Sequence, residues 1–284
     1  MRAIFVSRFS IFDGFLLLLL MFIVTGTANF AFANSNENFP GRKLYPQVYT
    51  ISKEDLFKKI QNDEVIVVDV RSDFEFKTLR ILNAIHLPVA SKSFPQKLKE
   101  LRNSSTKDIV FYCNGRSCYK SYNAAIKAIK NKVNGCFSYD AGVFEWSQMY
   151  PENAVLLGDT PVKPGRIIDK DKFLAHQLTA KEFEQSLLTD NTMIYDVRDR
   201  EQRRGDSGLF MFRDKHVSLD NSRKLIRIIS KAIDNDTTLY FYDQKGKQVR
   251  WLQYFLEAEG LENYYFMKGG AAAYHQLIRK EQGL

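Results

Sequence analysis

One tripeptide occurs twice, as Asp69-Val70-Arg71 and Asp196-Val197-Arg198, and each copy stands seventeen residues after a helix-start signal. The first signal is Ser52-Lys53-Glu54-Asp55, a capping box with Ser52 as N-cap and Asp55 three residues on; the second is Thr179-Ala180-Lys181-Glu182. Each tripeptide closes a short apolar run, Val65 to Val68 in the first copy and Met193 to Tyr195 in the second. Such runs between helical patterns read as strands of a parallel sheet buried on both faces. The correspondence continues: Ile109 to Cys113 ends 44 residues beyond Asp69, and Leu239 to Asp243 ends 47 beyond Asp196. A polar loop then leads to a cation seven positions on, Lys120 or Arg250. Helical patterns follow at Tyr122 to Ile129 and Trp251 to Ala258. Each copy ends with an apolar strand closing on glycine, Cys136 to Gly142 and Tyr264 to Gly270. A repeat constrains the fold more than any single motif, because both copies must satisfy one order of strands and helices.

The predicted architecture is α/β, with two tandem domains that each carry a central, mostly parallel sheet flanked by helices. Residues 45–157 form the first domain and 170–284 the second. Residues 158–169 read as a linker, since Gly158, Pro161, Pro164 and Gly165 interrupt regular structure. The 284-residue length suits two such units. With 22 Phe and 14 Tyr the chain has the aromatic surface for real cores, which excludes a disordered polypeptide. Three cysteines exclude a disulfide-dense scaffold.

Residues 1–33 read as an address. Arg2 and Arg8 precede the apolar run Phe15 to Val24, too short to span a bilayer, and Ala31-Phe32-Ala33 fits a cleavage site. The expectation is a signal peptide cleaved after Ala33 and a periplasmic or secreted protein, with no stable membrane span after processing. An uncleaved N-terminal anchor is the alternative. In an exported compartment cysteines tend to pair, and an odd count leaves at least one free or intermolecularly bonded.

Ligands of open α/β sheets bind beyond the carboxyl ends of strands, and Cys113 stands at such an end, just before a helix. The loop that follows is Asn114, Gly115, Arg116, Ser117, Cys118, Tyr119 and Lys120, and then Ser121. Its backbone N–H groups and the helix N-terminus make a cradle for an anion. The same field is expected to depress the pKa of Cys113 and make it nucleophilic, where a buried cysteine without such a field is inert. Cys118, five residues on, has three readings: a thiol that resolves a sulfenic acid or persulfide on Cys113, an incidental loop residue, or itself the nucleophile. Cys136 reads as a core residue. Asp69 and Arg71 are expected to fix the strand end and buttress the loop.

Taken in order, these segments resemble the rhodanese-like sulfurtransferases. The residues that carry the likeness are Val68-Asp69-Val70-Arg71 with Glu75-Phe76, then Asn83-Ala84-Ile85-His86-Leu87-Pro88. Phe111-Tyr112-Cys113 with Lys120-Ser121-Tyr122-Asn123-Ala124-Ala125, and Asp140-Ala141-Gly142 with Trp146, complete it. The resemblance covers nearly all of the chain beyond residue 33. It implies that Cys113 takes sulfane sulfur from a small anionic donor such as thiosulfate and holds it as a persulfide. The sulfur then passes to a thiol or cyanide-like acceptor, or to a protein acceptor. Residues 114–120 would bind the substrate, with Asp69, Arg71 and Ser121 in support. Two departures stand out. Six residues separate Cys113 from the cation where the family commonly has four, and that cation is Lys120 rather than Arg, which alone makes a planar bidentate contact. The related cell-cycle phosphatases also have a longer loop, for a larger phosphate, so the size of the anion stays open.

In the second copy Asp243 replaces the cysteine, and Gln244 to Val249 contain no thiol. That domain is expected to be non-catalytic, with Asp243 and Arg250 paired to each other. Two alternatives to sulfur transfer are a thiol–disulfide or oxyanion redox protein using Cys113 and Cys118, and a non-catalytic binding module. His86, His176, His216 and His275 lack ligand spacing, so neither a metal nor a cofactor is expected. The net charge of +8 comes with no nucleic-acid-binding motif, and no nucleic-acid partner is expected.

Overall fold

The computed structural model describes residues 39–163, 165–200, 202–203, 208–210 and 213–283; the predicted signal peptide and Pro164 lie outside them. The first half runs α1 (Pro40–Leu44), α2 (Lys53–Gln61), β1 (Val65–Asp69), α3 (Asp73–Thr78), β2 (Leu79–Ile81) and β3 (Ile85–His86). It continues with α4 (Phe94–Ser104), β4 (Asp108–Tyr112), α5 (Lys120–Lys130), β5 (Cys136–Tyr139), α6 (Gly142–Met149) and β6 (Ala154–Leu156). The second half runs α7 (Lys170–Ala175), β7 (Gln177–Leu178), α8 (Ala180–Ser186), β8 (Thr192–Asp196) and β9 (Asp214–His216). It closes with α9 (Ser222–Asp234), β10 (Thr238–Tyr242), α10 (Val249–Ala258), β11 (Tyr264–Met267) and α11 (Gly270–Glu281).

Local signals start the helices. Thr179 and Glu182 form a reciprocal capping box, each accepting the other's backbone N–H at 3.2 and 2.8 Å. Ser52 likewise accepts the N–H of Asp55 at 3.0 Å, but the Asp55 carboxylate meets the Ser52 hydroxyl rather than its backbone. Aspartate is one methylene shorter than glutamate, so only half of the expected box closes. A further full box, Ser72 with Glu75, opens α3.

The sheets repeat as the sequence does. In the first, the order is β3-β1-β4-β5, and every pairing is parallel. In the second it is β9-β8-β10-β11-β7, again parallel throughout. Tyr49 to Ile51 bonds to Ser138 at the place in the first sheet that β7 takes in the second. Central strands β4 and β10 share one burial pattern, half-exposed at the first residue and buried at the next four, as strands covered on both faces require.

The expected linker is mostly exposed and is anchored to the core at two residues. Asp159 bridges back to Leu156, and Val162 and Ile168 are buried. The Ile168 N–H donates to the Tyr254 hydroxyl at 2.9 Å. Across the halves, Trp251 of α10 stacks on Phe144 of α6 at 4.8 Å, and the Arg71 guanidinium lies 4.8 Å above the Trp251 ring. Burying an aromatic this large stabilises by roughly 3 kcal/mol, so the halves are fixed by packing and not merely tethered.

Candidate active site

At the carboxyl end of β4 the chain turns at Cys113, whose carbonyl accepts the N–H of Val143 at 3.0 Å. Asp243 takes the same place after β10, its carbonyl accepting from Ala271 at 2.8 Å. Gly142 is required here for two reasons: its φ is +75°, and a Cβ would collide with the backbone of Asn114 and Gly115. The Cys118 N–H folds back to the Gly115 carbonyl at 2.8 Å, tightening the loop. No side chain caps the N-terminus of α5, so its first N–H groups remain available to whatever the loop holds.

The loop brings two free thiols close together. The Cys113 side chain is fully buried; its Sγ lies 3.1 Å from the Cys118 carbonyl and 3.5 Å from the Ser121 hydroxyl. Ser121 in turn accepts from Ser138 at 2.9 Å. Cys118 is partly exposed and lines a cavity. A hydrogen bond from Cys113 lowers the Cys118 pKa first of all; burial opposes this, and the N–H groups of Lys120 and Asn114 with the Lys120 charge bring it to about 6. Burial pushes the Cys113 thiol well up, and the neighbouring Cys118 adds to this. The expected acidity is therefore inverted. Of the two, Cys118 is the more acidic thiol, because the strand-end cysteine is sealed from solvent while its neighbour meets the N–H groups of Asn114 and Lys120 and the Lys120 charge. Cys136 is half-buried at the start of β5, not in the deep core, and burial holds its thiol at about 11.

A polar chain ties the Asp-Val-Arg segment to this loop. Arg71 is fully buried and bridges to Asp69 at 2.6 Å. Burial opposes its charge, but Asp69 outweighs that and raises its pKa. Its other end donates to the Asn114 side chain at 3.2 Å. Asn114 donates to Glu75 at 2.9 Å, and Glu75 accepts from the Lys120 ammonium, also at 2.9 Å. Burial pushes the Glu75 carboxyl up, yet Lys120 and Arg71 outweigh it and hold it at about 2. Glu75, part of the family likeness but not among the expected site residues, is thus a site residue; Ser72-x-x-Glu75 is its local signal. Arg116 is exposed and pairs with Glu145, Ser117 is exposed, and Tyr119 tilts against Tyr45 at 6.0 Å. Both loop cations are therefore already matched by carboxylates.

The second loop corrects one expectation. Asp243 does not pair with Arg250. Its carboxylate accepts the backbone N–H groups of Lys245 (2.7 Å), Gly246, Gln248 and Val249 (3.1 Å). The loop that cradles an anion is thus filled by its own aspartate. Arg250 instead lies 4.0 Å over the Phe144 ring and 5.9 Å from that of Phe173, with one long bond, 3.4 Å, to the Ile168 carbonyl. Burial lowers its pKa.

Both loops line one cavity of about 820 Å³. Asn114 to Lys120 form one wall, Asp243 to Gln248 with Arg250 and Trp251 the other. Among the described residues, no group of three or more His, Cys, Asp or Glu side chains is placed to hold a metal. No described helix is long and apolar enough to cross a membrane.

A family model for the rhodanese-like domain matches this chain twice, at residues 52–149 and 179–277. The chain is 33% identical over 76 residues to a tRNA uridine(34) hydroxylase of Cytophaga hutchinsonii, covering 26% of this chain and 22% of that protein. It is 30% identical over 96 residues to an HTH-type transcriptional regulator of Mycobacterium tuberculosis, covering 34% of this chain and 40% of that one. The chain therefore spans about a fifth of the first relative's length and two fifths of the second's. A thiosulfate sulfurtransferase structure from Pseudomonas aeruginosa aligns with 83% of this chain and 47% of its own, at 14% identity and a TM-score of 0.34.

Proposed function

The chain belongs to the rhodanese-like domain family, and from that membership we propose that its first domain is a sulfurtransferase, carrying sulfane sulfur as a persulfide on the Cys113–Cys118 pair. The observation that carries the reading is the thiol pair itself. Cys118, the more acidic of the two, lines the cavity beside the amides of Asn114 and Lys120, and the Cys113 thiol lies behind it against the Cys118 carbonyl. The resemblance assigns the carrier to Cys113; exposure and acidity favour entry of sulfur at Cys118. In the first half-reaction the Cys118 thiolate attacks the sulfane sulfur of thiosulfate or a persulfide. An S–S bond forms, the donor's S–S bond breaks, and sulfite or a thiolate leaves with the electron pair. In the second, an acceptor thiolate or cyanide attacks the outer sulfur and the Cys118 thiolate departs.

A second reading has its own support in the closeness of the two free cysteines, Cys113 Sγ lying 3.1 Å from the Cys118 carbonyl. Cys113 can attack the inner sulfur of a Cys118 persulfide, forming a Cys113–Cys118 disulfide and releasing hydrogen sulfide. Atoms and electrons balance, since the released sulfur is reduced as the two cysteines are oxidised; a dithiol reductant would close the cycle. The proposed setting is exported, on the strength of residues 1–33.

The test is sulfur loading followed by mass measurement. Wild type and Cys113→Ser are expected to gain one sulfur atom that cyanide removes, and Cys118→Ser to gain none. Gain in Cys118→Ser with loss in Cys113→Ser would return the carrier role to Cys113. A Cys113–Cys118 disulfide formed with sulfide release would favour the second reading. Absence of uptake from every donor in wild type refutes both.

A further inference from the structure

Helix α9 (Ser222–Asp234) faces two ways. Leu225, Ile229 and Ala232 are buried in one apolar cluster with Leu239 and Phe241 of β10. The opposite side is exposed and carries Arg223, Arg227 and Lys231. Residues four apart stand above one another on a helix, so the three cations form one stripe. None of them enters an ion pair among the described residues. The nearest acids in the chain, Asp220 and Asp234, are exposed and pair with none of them. Lys224 differs, its ammonium donating to the His216 carbonyl at 2.8 Å. Like charges four apart on a helix repel, and an anionic neighbour relieves that cost. Ile226 and Ile233 run along the flank of the stripe, two turns apart, 42% and 46% exposed.

The internal repeat shows that the fold does not require this face. α4 (Phe94–Ser104) precedes the central strand of the first sheet as α9 precedes that of the second. It buries Phe94 and Leu98, and every exposed residue on it is polar, from Gln96 and Lys97 to Asn103 and Ser104. Glu100 interrupts its positive charge, and Arg102 donates to the carbonyls of Ser105 and Asn134. The cation stripe and the exposed isoleucines therefore belong to α9 and not to its counterpart. An acidic protein surface would match the cations and set carboxylates against the isoleucines. A lipid interface offers phosphates to the cations and, a few ångströms deeper, acyl chains to the isoleucines.

We propose that the exposed face of α9 docks the second domain on an anionic phospholipid surface. Arg223, Arg227 and Lys231 meet the headgroup phosphates, and Ile226 and Ile233 reach the acyl boundary. With 13 residues α9 lies on the bilayer and does not cross it. The second domain, without a nucleophile of its own, then holds the first at a membrane. No residue of α9 lines the cavity between the two loops, so the proposal stands apart from the sulfur-transfer reading.

The test places an indole on this face, with Ile226→Trp in the full chain. Trp146 and Trp251 are fully buried, so the added side chain carries the response to lipid and reports α9 itself, whatever residues 1–33 contribute. The probes are vesicles of about one-third phosphatidylglycerol in phosphatidylcholine, and of phosphatidylcholine only, each with and without brominated acyl chains. Blue-shifted emission and quenching by bromine are expected with the anionic vesicles and not with the neutral ones. Each cation near an anionic surface strengthens partition about 5-fold. Arg223→Gln/Arg227→Gln/Lys231→Gln in the same background should therefore weaken it about 100-fold, while Arg223→Lys/Arg227→Lys should leave it within about 2-fold. Salt at about 1 M should weaken it without any substitution, which keeps the test open if the triple variant fails to fold. No quenching by anionic vesicles, equal quenching by both kinds, or quenching that survives both the triple substitution and salt overturns the proposal. A response to polyglutamate with none to vesicles also overturns it, in favour of an acidic protein. Failure of sulfur loading leaves lipid docking standing, and failure of lipid docking leaves the sulfurtransferase reading standing.

Discussion

Removing the Asp243 carboxylate tests whether the second loop is an anion cradle closed by its own side chain. The side chain is 1% exposed and accepts four backbone N–H groups, from Lys245, Gly246, Gln248 and Val249. Hydrogen bonds to a charged group are worth about 1.5–3 kcal/mol each when a partner is lost. Full additivity would give roughly 6–12 kcal/mol, but Lys245 and Lys247 are exposed and water can reach part of the loop. Asp243→Ala is therefore expected to cost about 3–5 kcal/mol, a fall in Tm of roughly 6–20 °C for a chain of this size. The distinguishing readout is rescue. An emptied cradle should bind a small oxyanion, so sulfate at a hundred times its Kd should restore about 2.7 kcal/mol in the variant and nothing in wild type. Chemical denaturation with and without sulfate measures both quantities. A loss below about 1 kcal/mol, or equal sulfate effects on variant and wild type, would show that these amides do not need an anion.

Three other perturbations follow from the geometry. Cys118, with its pKa lowered to about 6, should alkylate with iodoacetamide at a rate that rises through pH 6 and is near its plateau by pH 7. Cys113 and Cys136 should stay slow throughout, and a rate midpoint near 9 in mass-resolved labelling would contradict the assignment. Glu75, held at about 2 against an ordinary 4.5, contributes on the order of 3 kcal/mol above about pH 4.5, and this is lost as pH falls toward 2. The stability gap between wild type and Glu75→Gln should shrink over that window; a gap independent of pH would disprove the linkage. Trp251→Ala should cost about 3–5 kcal/mol by emptying the contact with Phe144 and Arg71, and a cost under 1 kcal/mol in a urea melt would mean that this packing is not what joins the halves.

Much of the fold was legible because it was stated twice. Asp69-Val70-Arg71 and Asp196-Val197-Arg198 mark equivalent strand ends, and the two sheets run in the same order with the same parallel pairing. The position of Cys113 at the end of β4 follows from the apolar run before it, since a buried strand must stop where polar residues begin. What the sequence could not convey depends on three-dimensional exposure. Two thiols five residues apart look equivalent in a string, and only the turn at Gly115 decides which is sealed and which meets the amides. The same holds for Asp243 and Arg250. Opposite charges seven residues apart suggest a pair, but backbone N–H groups are invisible in sequence and they claim the carboxylate first. The aromatics of the shared cavity, Phe144, Phe173 and Trp251, lie far apart in the chain, and no local pattern marks them.

The central claim is that the Cys113–Cys118 pair carries sulfane sulfur, with Cys118 as the receiving thiolate. The most direct measurement is the intact mass of the protein after incubation with thiosulfate and, separately, with a small-molecule persulfide. A gain of one sulfur atom, mapped to a peptide containing Cys118, reversed by cyanide and absent in Cys118→Ser, is the predicted result. An unchanged mass with both donors, in a folded protein whose Cys118 still alkylates near pH 6, would contradict it.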